Sequence, residues 1–165
     1  MIVAGEASGD LHAAALASEL GALRPDLTLI GMGGGRMERA GVQLLERTDG
    51  RAVMGFVEVI REVPRHFALL RALRSRLQGG KVAALVTIDY PGFNMRLAAS
   101  ARAAGVPVIY YITPQVWAWG AGRLPKLATL ITKAAVILPF EEALLRAHGI
   151  DATFVGHPLL DRTAD

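Results

Sequence analysis

Carboxylates set beside glycines recur where apolar runs of this chain end. GEASGD, residues 5–10, follows the apolar start MIVA and gathers Glu6, Ser8 and Asp10 around Gly5 and Gly9. DYPGFN, residues 89–94, follows VTI and brings Asp89 and Asn94 to either side of a Pro91-Gly92 turn. A carboxylate at a strand end can take a proton from a hydroxyl, and glycines let a ligand come close to the backbone. Glu6 and Asp10 would repel a phosphate, so the first turn suits sugar hydroxyls or proton transfer better than an anion. The same residues also fit a helix start, with Ser8 or Asp10 as cap and negative charge in the first turn. Turn chemistry equally accounts for DYPGFN, with Asn94 placed to cap the next helix.

Three further stretches could touch a ligand. GMGGGRM, residues 31–37, resembles a dinucleotide fingerprint but lacks its last glycine, since Arg36 stands there, and it follows the second apolar run rather than the first. Its amides around Gly33 and Gly34 could still hold an anion with help from Arg36, or simply form a tight turn. TPQVWAW, residues 113–119, carries Gln115 and both tryptophans, Trp117 and Trp119, with Arg123 and Lys126 shortly after. Indole planes beside an amide suit sugar rings or an apolar tail, and they also suit anchoring a long loop. His157, in GHP, is the one histidine in an obvious turn. The chain has no cysteine, which excludes a disulfide framework and a thiolate nucleophile, and neither a metal nor a cofactor is expected.

The elements that must hold these stretches are an alternation of short apolar runs and helical patterns. MIVA, LTLIGM, VAALVTI, VPVIYYI, AAVILPF and TFVG read as strands, and 11–23, 34–40, 61–78, 93–104, 121–132 and 140–147 read as helices. Strands that are continuous Val/Ile/Leu runs are buried on both faces, so the expected fold is α/β, a Rossmann-like doubly wound parallel sheet. In such sheets ligands bind beyond the carboxyl ends of the strands, which is where every unusual stretch falls. One site built from all of these loops is therefore expected. A length of 165 residues suits one domain, and no linker or repeat divides it.

With 52% apolar and 20% charged residues the chain cannot be disordered. A net charge of +3 suggests an anionic partner, yet aromatics are only 6% and no basic run interleaves with them, so no nucleic acid is expected. No apolar run reaches the roughly 20 residues that span a bilayer, and no leader-like segment opens the chain. Residues 57–78, VEVIREVPRHFALLRALRSRLQ, form a basic amphipathic pattern, with Val63, Phe67, Leu70, Leu73 and Leu77 at helical spacing and Arg65 and Arg71 among the intervening charges. Such a helix either docks on the sheet or lies on an anionic membrane surface, with Val63, Phe67, Leu70, Arg65 and Arg71 as the lipid-facing set.

The series AGEASGD, GMGGGRM, VMGFVEV, IDYPGFN, PQVWAW, LPFE and FVGHPLLD, in that order over essentially the whole chain, resembles the lipid-A-disaccharide synthase family of Gram-negative bacteria. The resemblance implies the N-terminal, acceptor-side half of a two-domain GT-B glycosyltransferase, with a C-terminal donor-nucleotide domain missing here. It implies inverting transfer of 2,3-diacylglucosamine from its UDP carrier to 2,3-diacylglucosamine 1-phosphate (lipid X), releasing UDP, by a protein that is cytoplasmic and peripheral on the inner membrane. By the same resemblance the base is sought among Asp89, Glu6 and Asp10, and substrate contacts among Gly5, Ser8, Gly9, Gly33, Gly34, Arg36, Asn94, Gln115, Trp117, Trp119 and His157. Many relatives carry DxPDFN where this chain has DYPGFN, so the second carboxylate is replaced by Gly92. The isolated domain is expected to turn over little. Another GT-B UDP-sugar enzyme, or a non-catalytic lipid- or sugar-binding module, would share part of this pattern.

Overall fold

The computed structural model describes residues 1–48, 56–115 and 121–160, and within these the side chains of 56–63, 65 and 121 are not described. Among the described residues seven strands form one sheet in the order β3-β2-β1-β4-β5-β6-β7. They are β1 (Ile2–Ala4), β2 (Ile30–Gly33), β3 (Gln43–Arg47), β4 (Leu85–Ile88), β5 (Val108–Tyr111), β6 (Lys133–Val136) and β7 (Ala152–Phe154). Every pairing is parallel. The connecting helices are α1 (Ala7–Leu23), α2 (Gly35–Arg39), α3 (Phe56–Gln78), α4 (Pro91–Ala103), α5 (Leu124–Leu130), entered through a 3₁₀ turn at Ala121–Arg123, and α6 (Pro139–Ala147).

β1 shows why the sheet is covered twice. Its residues are all buried, and they alternate in direction: Ile2 and Ala4 pack with Ala13 and Ala17 of α1 and Met37 of α2, while Val3 packs into the larger cluster on the other face. Alanines at 13 and 17 let α1 close tightly on the strands. On the opposite face Leu69, Leu73 and Leu77 of α3 meet Phe93 and Leu97 of α4, with Leu124 and Leu127 of α5. Removing one of the fully buried leucines, such as Leu73 or Leu97, costs roughly 2–5 kcal/mol by the usual transfer and cavity terms.

Gly31 shows how closely the central strands approach. A Cβ there would stand 1.9 Å from the carbonyl oxygen of Ile2 across the β1–β2 pair, so no larger residue fits without parting the strands.

The sequence reading missed β3. QLLER is exposed or half-exposed at every position, as an edge strand is, and it lacks the apolar run that revealed the other six. The pattern over 57–78 also divides differently from expectation. Leu69, Leu73 and Leu77, spaced i, i+4, i+8, dock on the sheet, whereas Phe67 is 57% exposed and points away from it.

Candidate functional site

The strand order reverses between β1 and β4, which places the turns after β1, β2, β4 and β5 side by side at the carboxyl end of the sheet. His157 follows β7, three inter-strand spacings from β4, about 14 Å by ordinary sheet geometry. Its Nδ1 accepts from the Leu159 amide. His157 is therefore set apart along the sheet from a central group of turns at β2-β1-β4-β5.

In the central group GEASGD does not build a local cap. Glu6 is the N-cap of α1 in extended backbone without a side-chain cap bond, and both it and Ser8 are exposed. Asp10 caps a different helix. Its Oδ1 accepts from the amides of Gly34 at 2.7 Å and Met37 at 3.1 Å, and its Oδ2 accepts from the Arg36 amide at 3.1 Å. The residue is 3% exposed. The Gly-rich turn, read from sequence as a possible anion cradle, thus presents these amides to an internal carboxylate. Gly33 lies beneath the Met37 thioether, and Gly9 packs on Ala4. The side chain of Arg36 is exposed.

The turn after β4 has a different physics. Asp89 and Tyr90 both take left-handed backbone, at φ 45° and 49°, and Ile112 after β5 does so at 56°. Left-handed backbone costs a non-glycine residue roughly 1–2 kcal/mol, and it persists only where the surroundings impose it. Here they do. Asn94, fully buried, donates from Nδ2 to the carbonyls of Asp89 at 2.7 Å and Ile88 at 3.2 Å, and the Tyr110 hydroxyl donates to the Asp89 carbonyl at 2.7 Å. Burial holds the Tyr110 hydroxyl protonated far above a phenol's ordinary range, with the Asp89 charge adding to the effect. Asn94 is therefore a clamp on the preceding turn rather than the expected cap of α4, whose N-cap is Tyr90 with Pro91 at the first helical position.

Tyr90 leans across the end of β1. A Cβ on Gly5 would stand 2.2–2.6 Å from three atoms of its ring, so Gly5 is the space the ring occupies. From α3, His66 Nε2 hydrogen-bonds the Tyr90 hydroxyl, and its ring meets Phe93 edge-on at 6.1 Å between centroids. Sequence reading passed over both His66 and Tyr90, because the signal was a contact across 24 positions. Gly92 is exposed, with nothing within 4 Å of an added Cβ.

Gln115 is exposed beyond β5, and Trp117 and Trp119 lie outside the described residues. So do the side chains of Val63 and Arg65, whereas Leu70 is half-buried and Arg71 exposed. Pro64, Phe67, Leu70, Arg71 and Arg74 line a broad depression of about 1020 Å³ along α3, and the Arg96 guanidinium carbon sits 5.9 Å from the Phe67 ring centre. Among the described residues no helix is long and apolar enough to cross a membrane, and no cluster of His, Asp and Glu could hold a metal ion.

Comparison with known proteins agrees with this geometry. The family model described as lipid-A-disaccharide synthetase matches residues 1–165. Among curated relatives, the lipid-A-disaccharide synthase of Syntrophotalea carbinolica is 47% identical over 165 residues, covering 99% of this chain and 42% of the relative. That of Geobacter sulfurreducens is 47% identical over 162 residues, with 98% and 42% covered. That of Anaeromyxobacter sp. is 44% identical over 162 residues, with the same coverage of 98% and 42%. The chain spans about 42% of the length of these relatives. A family-model match spanning residues 1–165, on a parallel α/β sheet, establishes that the chain belongs to the lipid-A-disaccharide synthetase family.

Proposed function

We propose that this chain is the acceptor-side domain of a lipid-A-disaccharide synthase. The whole protein would transfer 2,3-diacylglucosamine from UDP-2,3-diacylglucosamine to the 6-hydroxyl of 2,3-diacylglucosamine 1-phosphate, with inversion and release of UDP. The observation that carries the reading is the left-handed Asp89-Tyr90 turn beside GEASGD at the strand-order reversal. Backbone strain held in place by buried groups is characteristic of sites that must present atoms to a ligand. Asp89 and the exposed Glu6 and Ser8 can meet sugar hydroxyls there, and Gln115 reaches the same end from β5.

UDP would be held chiefly by a second domain supplied by the remaining length of such a protein. The chain alone therefore binds the acceptor but turns over little. Mixing it with UDP-2,3-diacylglucosamine and 2,3-diacylglucosamine 1-phosphate and following UDP tests this; a rate comparable with an intact relative's refutes the division of labour. Absence of acceptor binding refutes the acceptor-side reading.

Acylated substrates live in a membrane, and the outer face of α3 suits its surface. Phe67 and Leu70 offer apolar contact, and Arg71, Arg74 and Arg96 offer charge to anionic headgroups. We place the protein peripherally on the cytoplasmic face of the inner membrane. Partitioning of the chain to vesicles containing anionic lipid should fall in the Phe67→Ser/Leu70→Ser double variant. Unchanged partitioning removes α3 from this role.

A further inference from the structure

Glycosyl transfer to a hydroxyl needs a group to receive the hydroxyl proton, and the turn after β4 has no carboxylate at Gly92. We propose that His66 and Tyr90 together receive it, with Tyr90 as the group that touches the acceptor and His66 as the final proton holder. The proposal rests on the acceptor-side reading above.

Three observations converge on the pair. His66 Nε2 and the Tyr90 hydroxyl are hydrogen-bonded, which is the geometry a proton relay requires. Tyr90 is held in left-handed backbone with its ring laid over Gly5, so the phenol is fixed between the GEASGD turn and the start of α4, at the strand-order reversal. His66 is itself fixed, by an edge-on contact with Phe93, while Phe93 stacks on Tyr90 at 5.8 Å between ring centres. Gly92 lies between those two aromatics in sequence, with nothing within 4 Å of an added Cβ. Imidazole is the side chain that most readily exchanges a proton near neutral pH.

The step balances without a co-reactant. The acceptor O–H bond breaks and its proton passes to the Tyr90 oxygen as Tyr90's own proton moves to His66 Nε2. The acceptor oxygen forms its bond to the donor's anomeric carbon, and the bond from that carbon to the diphosphate breaks, its electron pair leaving with UDP. His66, now an imidazolium, returns its proton to solvent. This direction requires His66 to enter the step with its proton on Nδ1. Among the described residues, charged and titratable groups near the pair include Asp89, which precedes Tyr90, Tyr110 behind that turn, and Arg96 of the packed helix α4.

Two measurements decide it. In the chain labelled with ¹⁵N in its histidine rings, titration with dispersed 2,3-diacylglucosamine 1-phosphate should shift the His66 ring signals, assigned by their loss in His66→Gln, and Tyr90→Phe should abolish that shift. Signals that move elsewhere while those of His66 stay put overturn the proposal. No movement at any signal refutes the acceptor-side reading and the proposal with it.

The second measurement uses the Geobacter sulfurreducens relative with its matching 162 residues replaced by this chain. There His66→Gln should lower kcat by about 10²–10⁴-fold with KM nearly unchanged. Gly92→Asp added to His66→Gln should restore part of kcat, because it supplies a carboxylate beside Tyr90. A His66→Gln rate within about threefold of the parent, with Asp89→Asn abolishing turnover, assigns the proton to Asp89 and overturns the pair.

Discussion

Asp10 and Asp89 belong to the turns that follow neighbouring strands, β1 and β4, and the fold uses them in opposite ways. Asp10 is buried and its two oxygens accept from three amides of the next β-α connection, so its charge is consumed inside the protein. Asp89 keeps its side chain half-exposed while its carbonyl is gripped from behind by Asn94 and Tyr110, and its backbone is strained. One carboxylate stabilises the scaffold at the expense of any role toward a ligand. The other is held at a cost in stability, in a form a ligand can meet.

The largest break in this contrast comes from Asp10→Ala, which leaves buried amides unpaired. It should lower stability by roughly 2–4 kcal/mol, read as a fall in the urea midpoint, with Asp10→Asn losing less. Gly5→Ala forces the Tyr90 ring off the end of β1 and should cost about 2 kcal/mol, with a changed near-ultraviolet tyrosine signal. On the strained side the sign reverses. Asp89→Gly relieves left-handed backbone and should raise stability by about 1 kcal/mol in the same urea assay, while weakening acceptor binding.

The clamp itself has a pH signature. The folded Tyr110 hydroxyl stays protonated where the unfolded one ionises, so the stability it confers is complete below about pH 10, the ordinary phenol value, and declines as pH rises further. Tyr110→Phe should cost about 1 kcal/mol at pH 7, and since each pH unit above 10 removes about 1.4 kcal/mol from the parent, the two curves should meet near pH 11. A constant gap from pH 7 to 11 would show that the hydroxyl is not shielded. The smallest effect belongs to Thr87, fully buried on β4, whose hydroxyl oxygen has no hydrogen-bond partner among the described residues. Thr87→Val should be neutral or up to about 1 kcal/mol more stable.

What the sequence disclosed follows from range. Six strands declared themselves as Val/Ile/Leu runs because parallel strands buried on both faces have no polar side, and the helices between them ended at glycines such as Gly105 and Gly149, both with positive φ. β3 stayed hidden because an edge strand buries too little to need such a run. At 5–10 and 89–94 the sequence marked unusual turns, but it assigned their hydrogen bonds to nearby partners. Asp10 looked like a cap for its own helix, yet it serves amides 24 to 27 positions on. Asn94 looked like a cap for the helix ahead and instead holds the turn behind. The His66–Tyr90 contact joins helices that no local pattern connects. Local composition announces that a turn is unusual, and only the tertiary contact says what the turn is for.

The Asp10 contacts also bear on how the domain opens. A helix of five residues such as α2 cannot sustain itself, since its few internal bonds do not repay the cost of starting a helical turn. Its leading amides are tied to a carboxylate on α1, so α2 cannot fray without stripping α1 of its partner and exposing a charge to an apolar layer. The β1-α1-β2-α2 half should therefore open as one cooperative unit. In hydrogen exchange the amides of Gly34, Arg36 and Met37 should then be as slow as those of β1, although they sit at the start of one of the shortest helices in the fold.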